Sequence, residues 1–290
     1  MMRNKLFIAA LLALAGLPGA AQTAEERPMP SEGLSYQFTE AIARQPGQSV
    51  VRGLRATDRG TPDIERFQAE HKAYISALEQ AGLKVAVLGA SEAWPDSVFV
   101  EDAALCLPEG TVILRPGTPS RTGEGNLIAT DLAGLGHKIH HNDSEGFIDG
   151  GDILVTDSAI LAGLSKRTNQ AGFDWLKSVL EAWGYTALAV HTPDNVLHFK
   201  SDCCVLDSNT ILATSRLSGA KCFANFRVLT VPEGEEAAAN SIRVNDTVLV
   251  PAGFPATAEL LARENYAMEV VSVSQAALLD AGLSCMSLRF

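Results

Sequence analysis

Gly146-Phe147-Ile148-Asp149-Gly150-Gly151-Asp152-Ile153-Leu154-Val155-Thr156-Asp157-Ser158-Ala159-Ile160-Leu161-Ala162-Gly163 sets a tight bend before two short apolar runs. Asp and Gly at 149–152 suit the bend, because glycine lacks the Cβ that would clash and aspartate bonds nearby backbone. Residues 153–155 and 159–163, parted by Thr156-Asp157-Ser158, then read as a strand hairpin. The same order of parts recurs along the chain. Residues 98–107 and 111–115 flank Pro108-Glu109-Gly110; residues 196–202 lead into 203–206 and, past Asp207-Ser208-Asn209, into 210–213; residues 239–244 and 247–250 flank Asn245-Asp246. The starts lie roughly 40 to 50 residues apart, the repeat length of a propeller-like array. In such an array residues at equivalent phases converge on the axis, however distant in sequence.

Outward from these units the chain alternates with helical patterns. Thr61 as cap, Pro62 at the first helical position and Asp63 and Glu65 in the first turn open a helix whose buried face carries Ile64, Phe67, His71, Tyr74 and Leu78. Gly82 stops it, and His71 on that face reads as a packed core histidine. A strand at residues 36–43 precedes this helix and another at 83–88 follows it. Residues 168–184 form a second helix with Phe173, Leu176, Leu180 and Trp183 along one stripe, a core stripe by its spacing. Shorter helices are expected at 256–264 and 275–279, before a final strand.

The first residues carry Arg3 and Lys5, then an apolar run at 6–17 too short to span a bilayer, then Pro18-Gly19-Ala20-Ala21. That order predicts an export signal over 1–21, cut near Ala21, a floppy polar leader over 22–33, and one domain over 34–290. The chain of 290 residues has a net charge of −11, and losing Arg3 and Lys5 lowers it to −13. Such acidity argues against nucleic acid or anionic lipid as partner, and no later apolar run is long enough for a membrane span. All five cysteines, Cys106, Cys203, Cys204, Cys222 and Cys285, lie beyond the signal. In the oxidising compartment that export implies, an odd number leaves at least one thiol unpaired or bridged between molecules, and the pairing is open.

Glu101 and Asp102, Asp149, His198 and Cys285 occupy equivalent phases of the repeats. A cysteine beside a histidine gains thiolate character from the imidazolium, and the same histidine can hand a proton to a leaving group. Asp149 could orient that histidine through its other nitrogen. The acids Asp96, Glu101 and Asp102 would disfavour an oxyanion but suit a guanidinium, whose planar donors match carboxylate oxygens. Taken singly, each residue has a bland reading: Asp149 as a turn residue, Glu101-Asp102 as solvated surface, His198 and Cys285 as core. Their shared phase raises the set above those readings.

Pro95-Asp96-Ser97-Val98-Phe99-Val100-Glu101-Asp102, Asp149-Gly150-Gly151-Asp152, Gly163-Leu164-Ser165-Lys166-Arg167-Thr168-Asn169, Leu197-His198-Phe199-Lys200-Ser201, Ala238-Ala239-Asn240 and Ser284-Cys285-Met286-Ser287-Leu288-Arg289-Phe290 closely resemble, in order and spacing, the dimethylarginine dimethylaminohydrolase family. The resemblance implies the guanidino-modifying superfamily fold, a five-bladed α/β propeller of repeated ββαβ units with pseudo-fivefold symmetry. It implies Cys285 as nucleophile, His198 as general acid and base, and Asp149, where some members have Glu, as the carboxylate that orients His198. Asp102, with Asp96 and Glu101, would hold the guanidinium. Arg121 and Arg167 would meet the substrate α-carboxylate, with Phe99 and the Leu279 backbone lining the pocket. The implied reaction releases citrulline from a methylated arginine through an S-alkylthiouronium intermediate, with no metal or organic cofactor.

The implied partner is a small cationic amino acid, with no nucleic acid and no membrane, and a homodimer is left open. Two departures stand out: Asp280-Ala281-Gly282 where the family has Asp-Gly-Gly, and Phe199 where leucine is usual. Export is a third, since familiar members are cytosolic and Cys285 must stay reduced. Rival readings are an arginine deiminase-like hydrolase, an exported binding protein for cationic amino acids and, more distantly, a metal hydrolase.

Overall fold

The computed structural model describes residues 33–290. The signal expected at 1–21, and all but the last residue of the leader expected at 22–33, lie outside the described residues. β1 (Glu40–Arg44) is followed by α1 (Ile64–Gln80) and β2 (Lys84–Leu88). The cap of α1 is Asp63, not Thr61: the Asp63 carboxylate accepts the Arg66 N–H at 3.0 Å, and its charge favours the positive end of the helix. Phe67, His71, Tyr74 and Leu78 are buried as their spacing predicts.

The chain then runs β3 (Ala104–Leu107), β4 (Gly110–Ile113), α2 (Glu124–Gly134), β5 (Ile139–His141), β6 (Ile153–Val155), β7 (Ile160–Leu164), α3 (Gln170–Ala182) and β8 (Ala187–His191). After these come β9 (Cys203–Asp207), β10 (Thr210–Ala213), β11 (Arg227–Thr230), β12 (Ile242–Val244), β13 (Thr247–Pro251), α4 (Pro255–Arg263), β14 (Ala267–Val271), α5 (Ser274–Ala277) and β15 (Leu288–Arg289). The helix α2 has no counterpart in the sequence reading. Its cap, Gly123, offers no side chain to the first turn, so the usual start signal is missing.

These strands make five three-stranded sheets of one topology, giving a mixed α/β fold. In four of them a hairpin pairs two strands antiparallel, and a crossover lays the third parallel to the second. The fifth repeats the pattern from distant parts of the chain, with β15 antiparallel and β2 parallel to β1. Each middle strand is an almost wholly buried run, while the third strands β2, β8 and β14 alternate or face water. A strand covered on both faces needs a continuous apolar run.

The stretches read as the first part of each strand instead close single turns of 3-10 helix. They are Val100–Ala103, Gly150–Asp152, Phe199–Ser201, Glu236–Ala239 and Ser284–Met286. Val100–Ala103 touches both Gly150–Asp152 and Ser284–Met286, and Phe199–Ser201 touches Gly150–Asp152 and Glu236–Ala239. The residues expected to converge therefore do so on a cluster of tight turns. The five cysteines are all free thiols.

Candidate active site

Each turn in that cluster presents a side chain at its start or within it. His198 precedes Phe199–Ser201 in extended conformation, Asp149 precedes Gly150–Asp152 likewise, and Cys285 lies inside Ser284–Met286. Cys285, His198, Asp102, Asp96, Phe99, Arg121, Arg167 and Leu279 line one cavity of about 140 Å³. A larger cavity, about 630 Å³, shares none of these residues. Convergent polar groups, more than size, mark a site, and on that ground the small cavity is the candidate.

His198 is held through Nε2, 3.0 Å from Asp149 Oδ2. Asp149 is fully buried, and its other oxygen accepts the Gly117 N–H at 2.6 Å, which fixes the carboxylate plane. Asp152 braces the same turn by accepting from Ser165 and Thr168 hydroxyls and from the Phe199 N–H. Burial alone would lower the His198 pKa. The charge of Asp102, the Asp149 bond and the charge of Asp152 outweigh it and carry the group up to about 9. His198 is an imidazolium at neutral pH.

Cys285 titrates the other way. Burial, then the negative charges of Glu101 and Asp102, push its thiol up to about 12. Its turn is pinned by Asn240, whose Oδ1 accepts the Ser284 N–H at 3.0 Å. Gly282 permits that contact, since a methyl there would lie 2.5 Å from Asn240 Cγ. Ala281, where the family has glycine, packs partly buried against the core, so the departure fills space.

Of the three acids expected around a cation, two face the cavity. Asp102 is buried against the Arg121 guanidinium and accepts the Gly151 N–H at 3.0 Å. Burial would raise its carboxyl, yet Arg121 and His198 hold it down at about 2. Asp96 is raised by burial, with Arg121 opposing, and its Oδ1 accepts the Leu54 N–H at 2.9 Å. Glu101 corrects the expectation: the turn aims it away, at the larger cavity, where its Oε1 receives Lys200 Nζ at 2.6 Å and Arg289 Nη2 at 3.1 Å. Neighbours in a tight turn cannot share a face, and Asp102 holds the cavity side.

The two arginines differ as well. Arg121 is buried, with donors already given to Asp102, to Glu124 Oε2 at 2.6 and 2.9 Å, and to the Phe99 and Asp96 carbonyls. It lines the cavity, but its bonds hold Asp102 in place. Arg167 is the more accessible cation, its side chain 20 % exposed and 3.6 Å from Asp149 Oδ2. Asp102, Asp149 and His198 also bring ligand-type atoms within 4.8 Å of one another. A metal there would have to displace the Arg121 and His198 partners these carboxylates already have.

Sequence reasoning missed Glu124, whose carboxyl is raised by burial to about 7 while it grips Arg121. It also missed Leu54, Arg55, Ala56, Leu197, Asp280 and Ala281 in the cavity wall. Residues 53–60 carry no periodicity, so only their latching could have flagged them: Asp280, at φ +56°, accepts the Ala56 N–H and pairs with Arg59 at 2.6 Å.

Residues 57–213 match the family described as N,N dimethylarginine dimethylhydrolase, eukaryotic. A curated N(G),N(G)-dimethylarginine dimethylaminohydrolase of Pseudomonas aeruginosa is 37% identical over 254 residues, 87% of this chain and 100% of that protein. The solved structure of a cysteine-to-serine variant of dimethylarginine dimethylaminohydrolase from Pseudomonas aeruginosa, complexed with citrulline, superposes with a TM-score of 0.84 at 36% identity, covering 88% of this chain and 100% of that one. The N-terminal domain of ArgZ, a cyanobacterial arginine dihydrolase, shares the fold at 17% identity, TM-score 0.77, over 87% of this chain and 97% of its own.

Proposed function

The chain belongs to the dimethylarginine dimethylaminohydrolase family and is a hydrolase of C–N bonds in amidines; from that premise we propose that it converts Nω-methylated arginines to citrulline and methylamine or dimethylamine. The observation that carries the reading is one small cavity lined by Cys285, by His198 on Asp149, and by Asp96 and Asp102. We further read the five sheets as the blades of a five-bladed α/β propeller, and residues 1–21 as an export signal.

In the resting enzyme Cys285 is a thiol and His198 an imidazolium. A guanidinium held by Asp102 and Asp96 brings positive charge to the thiol and eases loss of its proton to solvent. Arg167, with Arg121 behind it, suits the α-carboxylate of the same molecule. The thiolate forms a C–S bond to the guanidinium carbon. The C–N bond to the methylated nitrogen then breaks as His198 gives that nitrogen its proton, leaving an S-alkylthiouronium. Water adds to this carbon and passes a proton to the now neutral His198. The C–S bond breaks as the added hydroxyl gives its proton to the released amine, which leaves as its ammonium; the product carries a ureido group and the restored thiolate takes a proton back from solvent. The sum is one water consumed and one amine released.

The test is incubation with arginine, monomethylarginine and dimethylarginine, with assay of citrulline and amine. Methylamines with citrulline are expected; ammonia from arginine as the sole product would assign the chain to the deiminase chemistry instead. Cys285→Ser should abolish turnover and leave the circular dichroism spectrum unchanged.

A further inference from the structure

Behind the cavity that holds Cys285 lies a second set of charges that the mechanism above leaves unused. Glu101 adjoins Asp102, Lys200 follows His198 by two residues, and Arg289 follows Cys285 by four, so one ion cluster draws on all three reactive segments. Both cations converge on the same oxygen, Glu101 Oε1, and all three side chains are at least 86 % buried. Glu101 Oε2 is buried with no hydrogen-bond partner, so the carboxylate depends on Lys200 and Arg289 for compensation. Arg289 is further tied to the Ser284 and Ser287 carbonyls, at 3.2 and 3.1 Å, on either side of Cys285 and Met286. The cluster faces the larger cavity and cannot meet a substrate in the small one.

We propose that Lys200 is a positioning residue for the reaction: with Arg289 it neutralises Glu101, so that the Cys285 thiolate forms beside a compensated carboxylate instead of a bare one. The inference rests on the cysteine-nucleophile reading of the site but not on which guanidine is the substrate. After burial, the Glu101 charge is the largest influence holding the Cys285 proton on, ahead of Asp102, though Glu101 is absent from the cavity wall. The other charges around the thiol come from several elements. Arg55, Asp96, Asp102, Arg121, Arg167, His198 and Asp280 line the cavity with it. Tyr74 of α1 touches the same loop through the Leu283 carbonyl at 2.9 Å and Ser287 Oγ at 2.6 Å. None of these makes an ion pair or hydrogen bond with Glu101 Oε1, so substitution at Lys200 removes one of the two compensating cations and leaves Arg289 as the other.

The experiment measures the rate at which iodoacetamide alkylates Cys285 at pH 8, read by mass spectrometry of its peptide so that the other four cysteines do not interfere. Lys200→Met should slow alkylation about tenfold, one unit of thiol pKa. Glu101→Gln should speed it about tenfold, and the double variant should return near the parent rate. Loss of turnover in Lys200→Met at an unchanged alkylation rate would overturn the proposal and leave Lys200 a merely structural strut. If Lys200→Met does not fold, Glu101→Gln decides alone, since an unaltered rate there sinks the idea. Alkylation needs no substrate, so failure to hydrolyse methylarginines would leave these outcomes standing.

Discussion

His198 starts in the protonation state a thiolate attack needs and Cys285 does not, and this sets the pH response. Reaction requires the thiol to lose its proton while the imidazolium keeps its own. With His198 at about 9 and Cys285 at about 12, free enzyme holds both protons at neutral pH. The fraction that has lost one rises with pH up to the lower value and is flat between the two. We expect log kcat/KM to climb with unit slope from pH 6 to about 9, measured by initial rates of citrulline release; a plateau already at pH 7 would contradict it. Asp149→Asn replaces the carboxylate acceptor on Nε2 with a neutral amide and removes one of the charges that raise His198. That variant should lose about 10²- to 10⁴-fold in kcat. Its rising limb should bend at lower pH, because less negative charge supports the imidazolium. Both residues were legible in the sequence through their phase in the repeats. The aim of Glu101 was not, because the sequence reading grouped it with its neighbour Asp102, whereas a 3-10 turn sets adjacent side chains a third of a turn apart.

The turns themselves explain why element boundaries were misread although the residues they carry converge. Val100, Ile148 and Phe199 are as apolar and buried as strand residues, so composition could not separate the turns from the strands they feed. Glycine could have signalled the difference, because Gly150 and Gly151 sit where backbone and catalytic groups crowd. A methyl on Gly150 would lie 1.9 Å from the Glu101 carbonyl, and one on Gly151 2.7 Å from His198 Nδ1. The loop before Cys285 gives the sharper test. Gly282→Ala should push Asn240 off the Ser284 N–H and lower kcat by about tenfold or more through misplacement of the thiol. Ala281→Gly, which restores the usual family residue, should leave kcat within about twofold, since the Ala281 methyl packs against the core and brings no polar group to the cavity wall. Steady-state kinetics of the two variants side by side would separate crowding from loop flexibility.

At the scale of the whole molecule, the sheet that sequence periodicity could not assemble is the one that joins the two ends of the described chain. Its strands β1 and β15 are separated by nearly the full described length, and no local pattern pairs them. The pairing is nevertheless well determined: Ala41 faces Arg289 and Ile42 faces Leu288, and backbone bonds of 2.9 and 3.0 Å link Glu40 and Phe290 in both directions. Leu288 and Ile42 are buried in the same apolar cluster, against α2 and the turn that carries Asp102. That seam therefore couples stability to the placement of the Cys285 thiol, because Cys285 stands three residues before Leu288. Leu288→Ala should cost about 2–5 kcal/mol, roughly 5–15 °C in Tm for a chain this size. Removing Leu288–Phe290 also deletes Arg289 from the Glu101 cluster and leaves the β1 edge unpaired on that side. We expect that truncated protein to lose turnover even where calorimetry finds it folded. Full activity in it would mean that the turn holding Cys285 is set by Asn240 and Tyr74 alone, without the closing strand.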